Sequence, residues 1–535
     1  MAFMPKLIDA FILPRVSIVI AGACVGTSLA LLIPSRPGLA SLRWPLLAAA
    51  GAALVAFAFS VSWPLSFVGG YTRYESLPVR LSYLGLLAVP VWLLRTERAR
   101  TAVVAALVFG TTVSSLEALA QWWLSAPFRP DGNLGNANLL GALGAMTLPL
   151  TVARFLRLDG SMPLWLLAAD VQIGGLLVST SRGGALGALA GCLVLAAFAK
   201  RTRAAVVAWV GSGATIVGAA LLILNTPALR NLNGDPGPTR VHLYQDALHM
   251  VAARPISGWG EDATGLVFGR FLSGDWSPGV TFDRAHSGLL DLMATQGILG
   301  MASLGIVMIV LLWGLWRSRF TPAQDAGLAV ARAPRPERSS PLGPVSVGSI
   351  GAACVGYTLW VSLNFDWAPA TGALWLLAGT GWSAALARNR RVEPQGGESP
   401  VSWSPARYVS RLAAAVGLVA VAILLGALPI VAEAWYSDGR PDLAIRVDPL
   451  QAQYHRALGE ALIGEGSRAD GLAELRLAAR LGATDPALYV ELGDEELRAG
   501  DVAQARQDYR MALTIDPYWA PAQQRLAANG GLGSA

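Results

Sequence analysis

The stretch Asp283-Arg-Ala-His286-Ser-Gly-Leu-Leu290 opens a run that stays apolar to Trp316, with Asp291 as its single charge. Such a run exceeds the ~20 residues that cross a bilayer as helix, so a polar loop carrying a histidine here meets a membrane helix. Working outward, comparable apolar stretches occupy 16–33, 45–62, 79–94, 101–124, 137–155, 163–179, 185–199, 204–224, 287–316, 345–363, 370–387 and 412–434. Composition agrees: 54% of residues are hydrophobic, 14% are charged and mean hydropathy is +0.48. That is the balance of a polytopic membrane protein and excludes one large soluble core. The net charge of +6 is ordinary for membrane loops and gives no reason to expect nucleic acid. Cys24, Cys192 and Cys354 all fall inside apolar stretches, where they act as small packing residues. No secretory cleavage pattern precedes the first stretch.

Cytoplasmic loops collect Lys and Arg. The dense basic runs are Arg95–Arg100, Lys200–Arg203, Arg317–Arg319 and Arg388–Arg391. Placing all of them inside leaves 63–78, 125–136, 180–184, 225–285, 364–369 and everything after Ala434 outside. The same parity puts the N-terminus outside, where Lys6 and Arg15 run against the bias.

Composition changes near 434. From Trp435 onward 10 basic and 15 acidic residues accumulate, and a period of ~34 emerges, the length of a tetratricopeptide helix pair. Tyr454, Leu458-Gly459, Gly466 and Ala478 recur as Tyr489, Leu492-Gly493, Gly500 and Ala512. The expected architecture is therefore all-α: a polytopic bundle of about twelve spans (residues 1–434, outer loop about 225–285) and a small helical-repeat domain (435–535). The repeat domain is expected to cap the membrane part or to face a protein or glycan partner.

Six motifs in order resemble the O-antigen ligase and polymerase superfamily. They are Gly70-Tyr-Thr-Arg-Tyr-Glu75; Gly135-Asn-Ala-Asn-Leu-Leu-Gly141; Thr180-Ser-Arg-Gly-Gly184; Arg240 to Ala247 with Pro255-Ile-Ser-Gly-Trp-Gly260; Ala285-His-Ser with Gln296-Gly-Ile-Leu-Gly300; and Asn364-Phe-Asp-Trp-Ala-Pro369. Ala137 stands where that family usually has Pro, and Ser287 where Asn is common. The resemblance implies a GT-C-like fold in the cytoplasmic membrane. It also implies an undecaprenyl-pyrophosphate-linked glycan donor and a glycan, lipid or protein acceptor on the extracytoplasmic face. Ligase, polymerase and protein O-oligosaccharyltransferase all fit.

The residue chemistry reaches a similar place. A lipid pyrophosphate is a multiply charged anion at the membrane surface, and Arg offers it a planar, permanently charged fork. An outer arginine runs against the positive-inside bias, so Arg182, Arg240, Arg73 and Arg284 are expected to bind the donor; the plainer reading is a snorkelling anchor. His286 is expected to be the base that activates the acceptor hydroxyl; the plainer reading is a polar helix cap. Pyrophosphate leaves readily, so base catalysis is the help such a transfer needs. His242, His249 and His455 read as structural. No Asp-x-Asp or paired-histidine motif is present, so neither metal nor cofactor is expected.

Other classes remain. Glu117, Asp170 and Asp291 lie in apolar stretches and would form an ion path in a flippase or transporter, although no internal repeat relates the two halves of the membrane region. An assembly scaffold built on the repeats would leave the outer arginines and His286 unexplained.

Overall fold

The computed structural model describes residues 3–33, 38–156, 161–198, 237–274, 276, 282–318, 346–390 and 404–530. Among them the regular structure is helical throughout. The bundle comprises α1 (Ile12–Leu32), α2 (Arg43–Ala58), the short α3 (Trp63–Val68), α4 (Leu77–Leu93), α5 (Glu97–Trp123), α6 (Ala137–Phe155), α7 (Met162–Val178) and α8 (Arg182–Phe198). After α9 (Gly237–Ala253) come α10 (Gly288–Ser318), α11 (Val347–Ser362), α12 (Ala368–Arg390), α13 (Pro405–Ala422) and α14 (Leu428–Ser437). Every expected apolar stretch except 204–224, which lies outside the described residues, falls on these helices, with 412–434 running across α13 and α14. Five segments are long and apolar enough to cross a membrane: Ile12–Leu32, Ala40–Ala58, Glu97–Trp123, Gly288–Ser318 and Pro405–Ser437.

Small residues let the central helices approach. A side chain at Gly184 of α8 would strike the backbone of Gly141 in α6, and one at Gly356 of α11 would strike Gly187. Close backbone contact of this kind substitutes for the hydrophobic drive that lipid removes.

The run expected as one helix over 287–316 is broken. Gly297 adopts φ +64°, ψ −162°, which splits α10 into a short first segment and a long second one. The break is capped from outside: Ile298 N–H donates to Pro255 O at 2.8 Å, and Trp259 N–H donates to Ala294 O at 2.8 Å. Two glycine motifs read separately in sequence thus dock on each other.

At one end of the bundle, Leu94 O accepts from Ser383 Oγ and from Arg100 Nη1, and Leu39 O accepts from Trp382 Nε1. This is the end of the basic run Arg95–Arg100. The opposite end carries the loops 59–62, 69–76, 124–136, 254–274, 282–287 and 363–367. The segment 3–11 lies there too, with Asp9 N–H donating to Glu433 Oε1 at 2.9 Å. Arg15, which runs against the charge bias, has an internal use: its guanidinium donates to Leu134 O at 2.8 Å and to Asn133 O.

Beyond α14 lie α15 (Pro441–Val447), α16 (Ala452–Gly464), α17 (Arg468–Arg480), α18 (Pro486–Arg498), α19 (Val502–Ile515) and α20 (Ala520–Gly530). The 34-residue recurrence is visible in the backbone. Gly466 and Gly500 both take φ +91°, and each is followed by a six-residue cap bond, Ser467 N–H to Leu462 O and Asp501 N–H to Glu496 O. That is the left-handed glycine turn by which a helix ends and reverses. The boundary expected at 434 falls inside α14, and the helices after it share a buried cluster with the loops. Leu65, Trp259 and Phe268 pack with Tyr489, Tyr509 and Ile515.

Candidate functional site

Between α11 and α12 the chain makes a short turn, 363–367, and the sequence motifs converge on it. Leu363 O accepts from Arg240 Nη1 at 2.6 Å. The Asn364 amide lies against Gly183, so closely that a side chain at Gly183 would strike it. Asn364 O accepts from Gly288 N–H at 2.7 Å. Phe365 meets the His286 ring edge-on at 5.5 Å. Asp366 pairs with Arg80, and its carbonyl accepts from Arg284 Nη1 at 3.0 Å. Trp367 Nε1 donates to Arg73 O at 3.3 Å.

His286 sits at φ +53°, a left-handed backbone that histidine tolerates at some cost. Its neighbours hold it there. Ala285 N–H donates to Asp291 Oδ1 at 2.7 Å, and Ser287 Oγ donates to Ser362 O at 2.9 Å. Thr72, Tyr74, Thr180 and Asp262 are also left-handed, so strained non-glycine residues gather in the loops around this turn, as they do where geometry is held for function.

Beneath the turn lies a buried ionic network. Arg80 Nε donates to Glu261 Oε2 at 3.0 Å, Arg80 also pairs with Asp366, and Glu75 accepts from Tyr83 OH at 3.0 Å. Gln296 donates to the other oxygen of Glu261. Burial pushes the Glu75 carboxyl up to about 8, against the pull of Arg80. Burial opposes the charge of Arg284, but Asp262, Glu75, Asp291 and Asp366 outweigh it and raise its pKa.

The four arginines expected to bind donor therefore differ. Arg182 is exposed at the first residue of α8, and among the described residues nothing engages its guanidinium. Arg240 is half-buried on the turn. Arg73 pairs with Asp283, and Arg284 is buried, donating to Asp262 Oδ1 at 2.9 Å. Arg80 and Glu261 were missed. An arginine inside the stretch 79–94 is itself the signal that could have found Arg80, because charge within a span needs a partner. His242 stacks on Trp276 at 4.5 Å, and His455 is held between Glu474 and Pro449 O; both are accounted for by packing.

The acids of the transporter reading do not converge. Asp170 is exposed on α7, Glu117 accepts from Asn133, and Asp291 is buried at the start of α10.

An apolar cavity of about 200 Å³ opens beside the network. Leu289, Leu292, Leu304, Met308 and Trp375 line it, and Arg80, Gln296 and Asp366 form its polar end. Among the described residues no cluster of His, Cys, Asp and Glu could hold a metal ion.

Residues 166–305 match the family model of the O-antigen ligase. The matched segment contains Arg182, Arg240, Glu261, Arg284, His286 and Asp291, while Arg73, Arg80 and Asp366 lie outside it. No curated protein matches the chain.

Proposed function

We propose that the chain is an O-antigen ligase- or polymerase-type membrane glycosyltransferase, and that the 363–367 turn organises its site. The observation that carries this reading is the gathering of Arg240, the start of α8 with Arg182, and His286 around that one turn. The family match over 166–305 supports it. The donor is a glycan on undecaprenyl pyrophosphate in the cytoplasmic membrane. Arg182 and Arg240 take the pyrophosphate by charge-assisted hydrogen bonds, and the apolar cavity beside Arg80 and Asp366 takes part of the isoprenoid.

Arg284 and Arg80 are positioning residues, since their forks are committed to carboxylates and to Asp366 O. Arg73, paired with Asp283 at the rim, exchanges that carboxylate for the donor's charge. His286 accepts the proton of the acceptor hydroxyl as its oxygen attacks the anomeric carbon. Undecaprenyl pyrophosphate leaves as the anion from the opposite face, so the linkage inverts. The reading calls for no metal, because the arginines balance the leaving group. The acceptor is a sugar hydroxyl on a glycan or a lipid-bound core; a protein hydroxyl is the alternative.

The test separates binding from transfer. In nanodiscs, Arg182→Ala and Arg240→Ala should weaken the affinity for lipid-linked donor at least tenfold. His286→Ala should bind donor normally while product formation falls 10²–10⁴-fold, the range for a lost general base. Donor affinity unchanged in both arginine variants, or near-normal turnover of His286→Ala, would overturn the assignment.

A further inference from the structure

A second groove of about 810 Å³ lies on the C-terminal helices, between α17, α18 and α19. Its volume falls within the ~300–1,000 Å³ of ordinary ligand pockets. Arg476, Arg480 and Arg510 line it on one side of the charge balance, and Glu496, Asp501 and Asp508 on the other. Glu496 is buried and takes a two-point ion pair from Arg476, Nε to Oε1 at 2.6 Å and Nη2 to Oε2 at 2.8 Å. Asp508 is 6% exposed; Gln504 donates to its Oδ1 at 3.2 Å, and its Oδ2 has no partner. A buried carboxylate oxygen left unpaired costs stability, and this one belongs to a residue of the groove wall, where a ligand's donor would complete it.

The helices that form the groove dock on the loops beside the membrane site. Gly265 stands between Asp283 and Thr484, close enough that a side chain there would lie 3.3 Å from both. Thr484 belongs to the link between α17 and α18, and Asp283 is the partner of Arg73. Thr514, at the other end of the groove, has its carbonyl packed on Gly269.

We propose that this groove binds a neutral, polyhydroxylated glycan segment and holds it beside the site. This rests on the reading of that site as a glycan transferase. A glycan fits the lining better than a peptide does. The charges cancel, so no acidic or basic motif is selected. Arg, Gln and Asp present planar pairs of donors or acceptors matched to adjacent hydroxyls. Tyr489, the aromatic ring of the lining, is buried with its hydroxyl donated to Ala483 O, so the groove offers no open aromatic surface of the kind that anchors peptides.

The experiment uses full-length protein in nanodiscs, with photoreactive benzoylphenylalanine in place of exposed Gln507. The probe is a size-fractionated partial hydrolysate of the surface polysaccharide of the organism that encodes the chain. Irradiation should yield a periodate-sensitive carbohydrate adduct at position 507 and none at Arg468, an exposed position outside the groove lining. Calorimetry with the same fraction should show at least a tenfold loss of affinity in Asp508→Asn and in Arg510→Ala, at unchanged melting temperature. His286→Ala should bind the fraction like the parent. A protein adduct in cell membranes, no adduct, or affinities within twofold of the parent in both groove variants would overturn the proposal. Because none of these readouts needs turnover, a parent protein that transfers glycan but neither binds the fraction nor yields the adduct sinks the groove alone. Groove binding without any transfer sinks the membrane-site reading alone.

Discussion

Glu75 lies on the 69–76 loop, 1% exposed, with Tyr83 donating to both of its oxygens at 3.0 and 3.2 Å. Its carboxyl is held up to about 8 by burial, against an ordinary value of 4.5. A group with a raised folded pKa stabilises through its protonated form. That contribution is complete below the unfolded pKa and disappears as pH rises through the folded one. Melting temperature in detergent should therefore decline between pH 4.5 and about 8, and Glu75→Gln should flatten that slope. A Gln variant with the parent's pH profile would locate the titration elsewhere. At this scale His286 and the arginines expected on the outer face were singled out by sequence, because a histidine at a helix start and arginines against the expected charge bias stand out singly. The difference in how the arginines are paired was not legible. Arg182 and Arg284 look alike in sequence, and only the carboxylate of Asp262 and the carbonyl of Asp366 distinguish them.

Among the elements, α10 departs most from its sequence pattern. Hydropathy runs unbroken through Gly297, so periodicity alone predicts a continuous helix. The break comes from tertiary packing: the carbonyls of Pro255 and Ile256 crowd the site of any side chain at 297. Gly297→Ala should destabilise the protein by ~1–3 kcal/mol or more, the cost of a non-glycine residue in a sparsely populated backbone region. Hydrogen exchange should rise at Ile298 and Leu299, whose N–H groups use those carbonyls. Unchanged melting and exchange would mean that the break relaxes freely. The contact of the single 3-10 turn Phe268–Phe271 with α19 is as tight, since a side chain at Gly269 would strike the carbonyls of Thr514 and Ile515. Gly269→Val should detach the C-terminal helices from the loop without touching their own cores. Limited proteolysis should then cut within 254–274 faster than in the parent, and equal rates would show that the docking contributes nothing to loop order.

For the whole molecule, the expected sidedness joins the charge pattern to the fold. A reporter fused at Lys200 should be active only in the cytoplasm, and one at the C-terminus only outside it. A cytoplasmic C-terminus would turn the site toward the wrong compartment for a lipid-linked donor. Sequence by itself determined the helical class and eleven described helix positions of the membrane part, because apolar length and charge bias are one-dimensional properties read against a bilayer. It also determined the 34-residue recurrence, because a repeated turn needs a repeated glycine. Tertiary structure alone decided three things: the break at Gly297, the buried Arg80–Glu261–Asp366 network and the gathering of the motifs around 363–367. Each depends on carbonyls and carboxylates brought from distant parts of the chain, and no local pattern records which of them will meet.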